Sequence, residues 1–320
     1  MSLTEEPKKV DISRYDRQVR LWGAESQHKM MNSRVLYIHV TGVSAEILKN
    51  LALAGIKATL CDARPTSEMS PHFFTPTQPE KRRKDASVAH AVQPQVEEMN
   101  PLLEGCPILE KDFSDLTEED LKPFTVIVAS QIPLNEAVRL SKLSTQLKIK
   151  FYLADCFGWN GAALMDLGKD FTFRPEQGKK LLDPVSLSSY ISMEDLVPVP
   201  LQECVNRFHK TPPPVYLQYR CLLEYQSQKG HFPGGEQDFD DAVWPNYLES
   251  QKVTLPEATL TALAKAGMAQ LAPVCAVLGG ILGNEIIKVI SGKGEPANNT
   301  ILFDGKTCKA WTFLVQPKKT

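Results

Sequence analysis

Residues 39 to 62 have the outline of a phosphate-binding turn but lack most of its glycines. In a G-x-G-x-x-G turn the first glycine makes the tight bend, the second admits a pyrophosphate against the backbone, and the third lets the helix lie on the strand. Here those positions read His39, Thr41 or Gly42, and Ser44. An imidazole in the bend and a hydroxymethyl at the helix–strand contact predict that no pyrophosphate closely approaches this helix N-terminus, although the helix dipole remains. Asp62, twenty residues past Gly42, has the position of a ribose-binding acid. Without the glycines it reads more simply as an acid ending a strand, and His39 as a packed turn residue rather than a base.

Two other residue types could do chemistry. Arg14, Arg17 and Arg20, three apart, would on spacing alone form a solvated helix face. The seven cysteines are Cys61, Cys106, Cys156, Cys204, Cys221, Cys275 and Cys308; they form no C-x-x-C pair and no usual zinc spacing, so reduced thiols are expected. A nucleophilic cysteine must be accessible and hold a depressed pKa. Cys204 and Cys221 lie where one might be sought, and Cys221 has Arg220 beside it, but their apolar helical settings favour buried thiols.

The elements that would position these residues alternate. "RVLYIHV" (34 to 40) is an apolar strand, "VSAEILKNLALAG" (43 to 55) a helix closed by Gly55, and "KATLCD" the next strand. "KDASVAHAVQPQVEEMN" reads as a helix in which Pro94 predicts a kink or an early break. "CPILEKD" is a weak strand and "FTVIVASQ" a strong one, followed by the helix "NEAVRLSKLSTQLK" and the strand "IKFYLADCFG". "WNGAALMDLG" is expected to return antiparallel through a tight Asn-Gly turn. The fold class is α/β, Rossmann-like, with a mostly parallel sheet flanked by helices. Residues 1–173 form its first part, 174–255 a proline-rich helical insertion, and 256–320 the closing helix and C-terminal strands, with Asp304-Gly305 as a hairpin turn.

Composition narrows the classes. At 320 residues, 42% hydrophobic and 23% charged, the chain can build a sizeable core, and a net charge of −2 gives no reason to expect nucleic acid or an anionic membrane as partner. The polar N-terminus lacks the pattern of a signal or transit peptide, which predicts residence in the cytosol or nucleus. The longest apolar run, 271 to 283, is shorter than the roughly 20 residues that cross a bilayer and reads as a buried helix.

Taken together, "SRYDRQVRLWG" (13 to 23), the glycine-poor turn and "LAPVCAVLGGILGNEIIKVISGKGEPANNTILFDG" (271 to 305) resemble the activating enzymes of ubiquitin-like modifiers. Within that family the likeness is to the smaller, Aos-type subunits of SUMO-activating enzymes; it runs through 13 to 173 and 256 to 315 and thins between. The resemblance implies a ThiF/MoeB-like adenylation fold in an obligate heterodimer. The larger catalytic subunit would bind ATP, Mg and the modifier and carry the thioester cysteine, while this chain would hold no cofactor and no metal. It also implies that Arg17, the arginine of "YDRQ", crosses the interface to the ATP phosphates in the partner. SUMO and a conjugating enzyme would meet the chain through the complex, in the nucleus with some in the cytoplasm.

Leu21 and Trp22 are then expected to anchor the N-terminal helix, and Gly279, Gly280 and Gly283 to permit a close helix contact, chiefly in the core. "EKRRKD" (80 to 85) could serve nuclear import or simply start a helix. Two rival readings are a scaffold in which Arg17 has no chemical part, and a free-standing NAD- or ATP-dependent enzyme. The second is disfavoured by His39, Ser44 and the lack of an acid, base or nucleophile cluster nearby.

Overall fold

The computed structural model describes residues 12–77, 87–103, 105–178, 180–205, 210–234 and 242–316; the "EKRRKD" stretch lies outside them. Helices α1 (Asp16–Trp22) and α2 (Ala24–Asn32) meet at Gly23, whose φ of 85° suits glycine. Then come β1 (Arg34–Ile38), α3 (Gly42–Leu53), β2 (Lys57–Cys61), α4 (Val88–Met99), the single turn α5 (Glu118–Leu121), β3 (Val126–Ala129), α6 (Leu134–Gln146), β4 (Lys150–Phe157) and β5 (Asn160–Asp166). Four two-residue strands, β6 (Thr172–Phe173), β7 (Glu176–Gln177), β8 (Lys180–Leu181) and β9 (Val185–Ser186), pair as β6 with β9 and β7 with β8. The chain ends with α7 (Met193–Leu196), α8 (Pro214–Lys229), α9 (Val243–Ser250), α10 (Glu257–Ala266), α11 (Ala272–Ser291), β10 (Thr300–Asp304) and β11 (Lys309–Thr312).

The central sheet has seven strands in the order β11-β10-β5-β4-β3-β1-β2. Strands β1 to β4 are parallel; β5 reverses, β10 regains their direction, and β11 closes the edge antiparallel. Both faces are covered, which is why β3 is apolar at every position rather than alternating. Val35 and Tyr37 of β1 join the core beneath α3, α4 and α11, while Leu36 and Ile38 join the opposite core beneath α6, α8 and α9. Segment 174–255 thus supplies α8 and α9 to the second core, where buried Trp244 donates its Nε1–H to the Cys221 carbonyl at 2.7 Å.

Three local expectations are corrected. The α4 helix does not break early but continues past Pro94 to Met99, because the carbonyl deprived of a donor there belongs to exposed His90, where water can serve it. "CPILEKD" makes only an isolated bridge, Ile108 to Leu60, since Pro107 has no N–H to extend the ladder. The β4–β5 turn is Gly158-Trp159 rather than Asn-Gly: Phe157 already pairs with Asn160, and Gly158 takes φ 56°.

Helix α11 packs on α3 through its glycines. A Cβ at Gly279 would lie 2.5 Å from Glu46 Cβ, and one at Gly283 would lie 3.1 Å from Asn50 Cβ. Gly280 meets nothing within 4 Å, so core packing accounts for two of the three glycines only. Among the described residues α11 alone has the length and composition to span a bilayer, yet 56% of its apolar window is buried against the rest of the fold, which makes it a core helix.

Candidate functional site

In an open α/β sheet, ligands enter at the carboxyl ends of the strands where strand order reverses, here between β1 and β3. That crevice is stitched shut by the chain's own groups. His39 follows β1 with φ 61°, so the bend still demands the left-handed conformation that glycine would supply. Its ring is buried edge-on against Phe113, with centroids 5.2 Å apart, and its Nδ1–H donates across the strand-order reversal to the Ser130 carbonyl at 3.2 Å. Burial above all, together with the nearby Arg64 cation, lowers the His39 pKa to about 4. It is a packed turn residue held neutral.

Three N–H groups of the turn already have partners. Thr41 N–H donates to Ser44 Oγ at 2.7 Å, in a capping box at the start of α3, and the Ser44 hydroxyl donates to the His39 carbonyl at 2.9 Å. Val43 N–H donates to Gln270 Oε1 at 3.3 Å, and Val40 N–H to Asp62 Oδ2 at 2.7 Å. The Gln270 amide also fills the space over Gly42, where an added Cβ would come within 2.6 Å of Oε1. Asp62 is only 2% exposed and accepts both arms of Arg64, Nε at 2.9 Å and Nη2 at 2.7 Å, so its carboxylate is engaged before any ribose could reach it.

A second chain of hydrogen bonds runs beneath. The Thr41 hydroxyl donates to Ser130 Oγ at 2.8 Å, and Ser130 Oγ donates to Asp155 Oδ1 at 3.0 Å. Gln131 N–H reaches the same oxygen at 2.7 Å, and the Tyr219 hydroxyl reaches Oδ2 at 2.7 Å. Asp155 is fully buried; burial raises its pKa against the pull of these three donors. Among the described residues no group of three or more His, Cys, Asp and Glu could hold a metal ion. At this turn the N–H groups of Val40, Thr41 and Val43, the Asp62 carboxylate and the space over Gly42 are all taken up by the chain's own groups.

Arg17 lies elsewhere. Tyr15 packs its ring against Gly55 and accepts from Asn100 Nδ2 at 3.0 Å, while Gln18 Nε2 donates to the Leu53 carbonyl at 3.1 Å. These contacts seat α1 at the C-terminal end of α3, whose twelve residues at 1.5 Å rise put it about 18 Å from the closed turn. Arg17 is exposed and makes no hydrogen bond or ion pair with any described residue. Its neighbours are engaged: Arg14 donates to the Met99 carbonyl at 3.3 Å, and Arg20 pairs with Asp16 at 2.8 Å.

Of the expected anchors, Trp22 packs against the core, but Leu21 is 73% exposed and the buried anchor is Tyr15. The N-terminal half of α11, beside the start of α3, leaves Pro273, Ala276, Val277 and Gly280 exposed, while Lys293, beyond its other end, donates to the Trp22 carbonyl at 2.7 Å. Cys204 and Cys221 are buried, and burial pushes their thiols up to about 11 and about 12, the reverse of what a nucleophile needs. Sequence reasoning missed Arg64, Ser130, Asp155, Tyr219 and Gln270. Arg64 could have been found, two residues past Asp62 in "CDARP"; Gln270, 227 residues from Val43, gives no local signal.

A mostly parallel seven-stranded sheet flanked by helices, with its strand-end crevice occupied by the chain's own side chains, defines the fold class as α/β and Rossmann-like. The profile of the ThiF family matches residues 15–320, and the chain belongs to that family. More particularly, it is similar to subunit 1B-1 of the SUMO-activating enzyme of Arabidopsis thaliana, 31% identical over 92% of this chain and 93% of the relative. The SUMO-activating enzyme subunit 1 of Xenopus laevis is 29% identical, with 93% of each chain covered, and that of Dictyostelium discoideum 27%, covering 95% and 92%.

Proposed function

We propose that this chain is the nucleotide-free subunit of a heterodimeric SUMO-activating enzyme, lending Arg17 to ATP held by the larger subunit. The observation that carries the proposal is the occupied turn: the N–H groups of Val40, Thr41 and Val43 around the start of α3 donate to Asp62, Ser44 and Gln270. The fold is retained while its ligand is excluded, so its use is to pair with a second copy of the fold that still binds one. Exposed Leu21 and the apolar side of α11 supply the surface for that pairing.

In the assembled enzyme the C-terminal carboxylate of SUMO attacks the α-phosphate of ATP, releasing pyrophosphate and leaving an acyl adenylate; a cysteine thiolate of the larger subunit then displaces AMP to give the thioester. Arg17 suits the first step because its charge persists at physiological pH and its planar fork can donate to two phosphate oxygens as charge moves onto pyrophosphate. The thioester cysteine belongs to the larger subunit, consistent with the raised thiol pKa values of Cys204 and Cys221.

The test is reconstitution. The purified chain alone neither binds ATP saturably nor exchanges pyrophosphate, and on mixing with a larger subunit that retains the glycine turn it restores the SUMO thioester. Saturable ATP binding by the lone chain would sink the proposal. Full exchange by the Arg17→Ala complex would reduce the chain to a scaffold.

A further inference from the structure

On the face of the sheet opposite α3 lies a buried arginine without a counter-ion. Arg220, on α8, is 7% exposed. Its Nη1 donates to the Tyr216 hydroxyl at 3.0 Å and its Nη2 to the Val197 carbonyl at 2.8 Å, and the Tyr247 phenol also faces it. No carboxylate of a described residue pairs with it. Glu224, the natural partner four residues on, accepts instead from Gln228 Nε2 at 2.7 Å. A guanidinium largely withdrawn from water and met only by neutral oxygens is costly, and the bonds to Tyr216 and Val197 take two of its five N–H donors.

The same arginine lines a cavity of about 530 Å³ between α6, α8 and α9, within the size range of small-molecule sites. Leu134, Val138, Val197 and Tyr247 give it apolar walls, and exposed Ser227 borders it. Glu194 and Glu224 also line it and disfavour a polyanion such as a nucleotide, but Glu194 is paired with Lys142 at 3.1 Å, so the carboxylate charge on the cavity is partly offset.

We infer that this cavity binds a single carboxylate carried on an apolar body, the carboxylate completing a fork with Arg220 while the body fills the wall of Leu134, Val138 and Tyr247. The carboxylate could be free in solution or be presented by another protein chain; the chemistry at Arg220 is the same. The site is separate from the role proposed for Arg17 and does not depend on it.

The probe is 3-phenylpropionate, titrated calorimetrically into the full chain beside its neutral amide. Saturable binding of the acid, with the amide at least tenfold weaker, is expected. Arg220→Gln should abolish that preference. Because a buried arginine can matter to folding, Ser227→Trp at an exposed helical position is the companion variant: it should block the acid and leave the melting midpoint unchanged. In the complex with the larger subunit, loss of acid binding would assign the site to a carboxylate of that subunit, and retention would assign it to a free one. Equal binding of acid and amide, an acid that does not saturate, or binding indifferent to Ser227→Trp would overturn the inference.

Discussion

Arg17 and His39 stand for the two kinds of residue this chain has kept. Arg17 is exposed and bonds to no described residue, so replacing it should cost no stability. Arg17→Ala is expected to leave the melting midpoint and the heterodimer intact while slowing SUMO-dependent pyrophosphate exchange about 10- to 100-fold, the equivalent of about one charge-assisted hydrogen bond. Arg17→Lys should recover only part, having charge without the fork. His39 and His72 are held neutral, each with its pKa lowered to about 4, chiefly by burial. The unfolded chain binds their protons near pH 6.5 and the folded chain does not, so stability is complete above pH 6.5, declines as pH falls toward 4, and levels off below. A contribution of about 3 kcal/mol from His39 is expected, read as a falling urea midpoint over that interval; an unchanged slope in His39→Gln would refute it. At this scale the sequence was informative about what had been lost. It could reveal that glycines were missing but not which side chains had taken the vacated donors, since Gln270 and Ser130 reach the turn only through the tertiary fold.

The elements behave as their periodicities predict, with exceptions where backbone chemistry intervened. Helix α3 is fixed by its cap, and Ser44→Ala removes both the acceptor for Thr41 N–H and the donor to the His39 carbonyl. A loss of about 1–2 kcal/mol is expected in chemical denaturation. Putting glycines back does not reopen the crevice: His39→Gly/Ser44→Gly should still fail to bind ATP, because Asp62–Arg64 and Gln270 remain in place. The α11 glycines divide by face. Gly279→Ala would push a methyl into Glu46 and should destabilise the chain by about 1–3 kcal/mol, whereas Gly280→Ala, facing open space, should stabilise the lone chain slightly or leave it unchanged. That division was not legible from three glycines close together on one helix. It depends on which side α3 occupies, a fact settled by the whole sheet rather than by the helix sequence. The β4–β5 turn differs for a related reason: Asn-Gly is a strong turn signal, but Gly158 turns the chain two residues earlier.

As a molecule, the chain reads as one half of something. Its α/β class, its strand–helix alternation and its α11 core helix were all visible in the sequence, because parallel strands covered on both faces leave long apolar runs. Its unfinished surface was not, since an apolar residue at helical spacing looks the same whether it meets a core or a partner. Leu21→Glu and Val277→Glu should therefore abolish co-elution with the larger subunit without lowering the melting midpoint of the lone chain; unimpaired co-elution would place the pairing surface elsewhere. The exposed side of α11 also bears on the chain's fate in a cell. Copies synthesised in excess of their companion would display a greasy stripe to chaperones and proteases, so the level of this chain should follow the supply of the other, and its half-life should shorten when the companion is depleted.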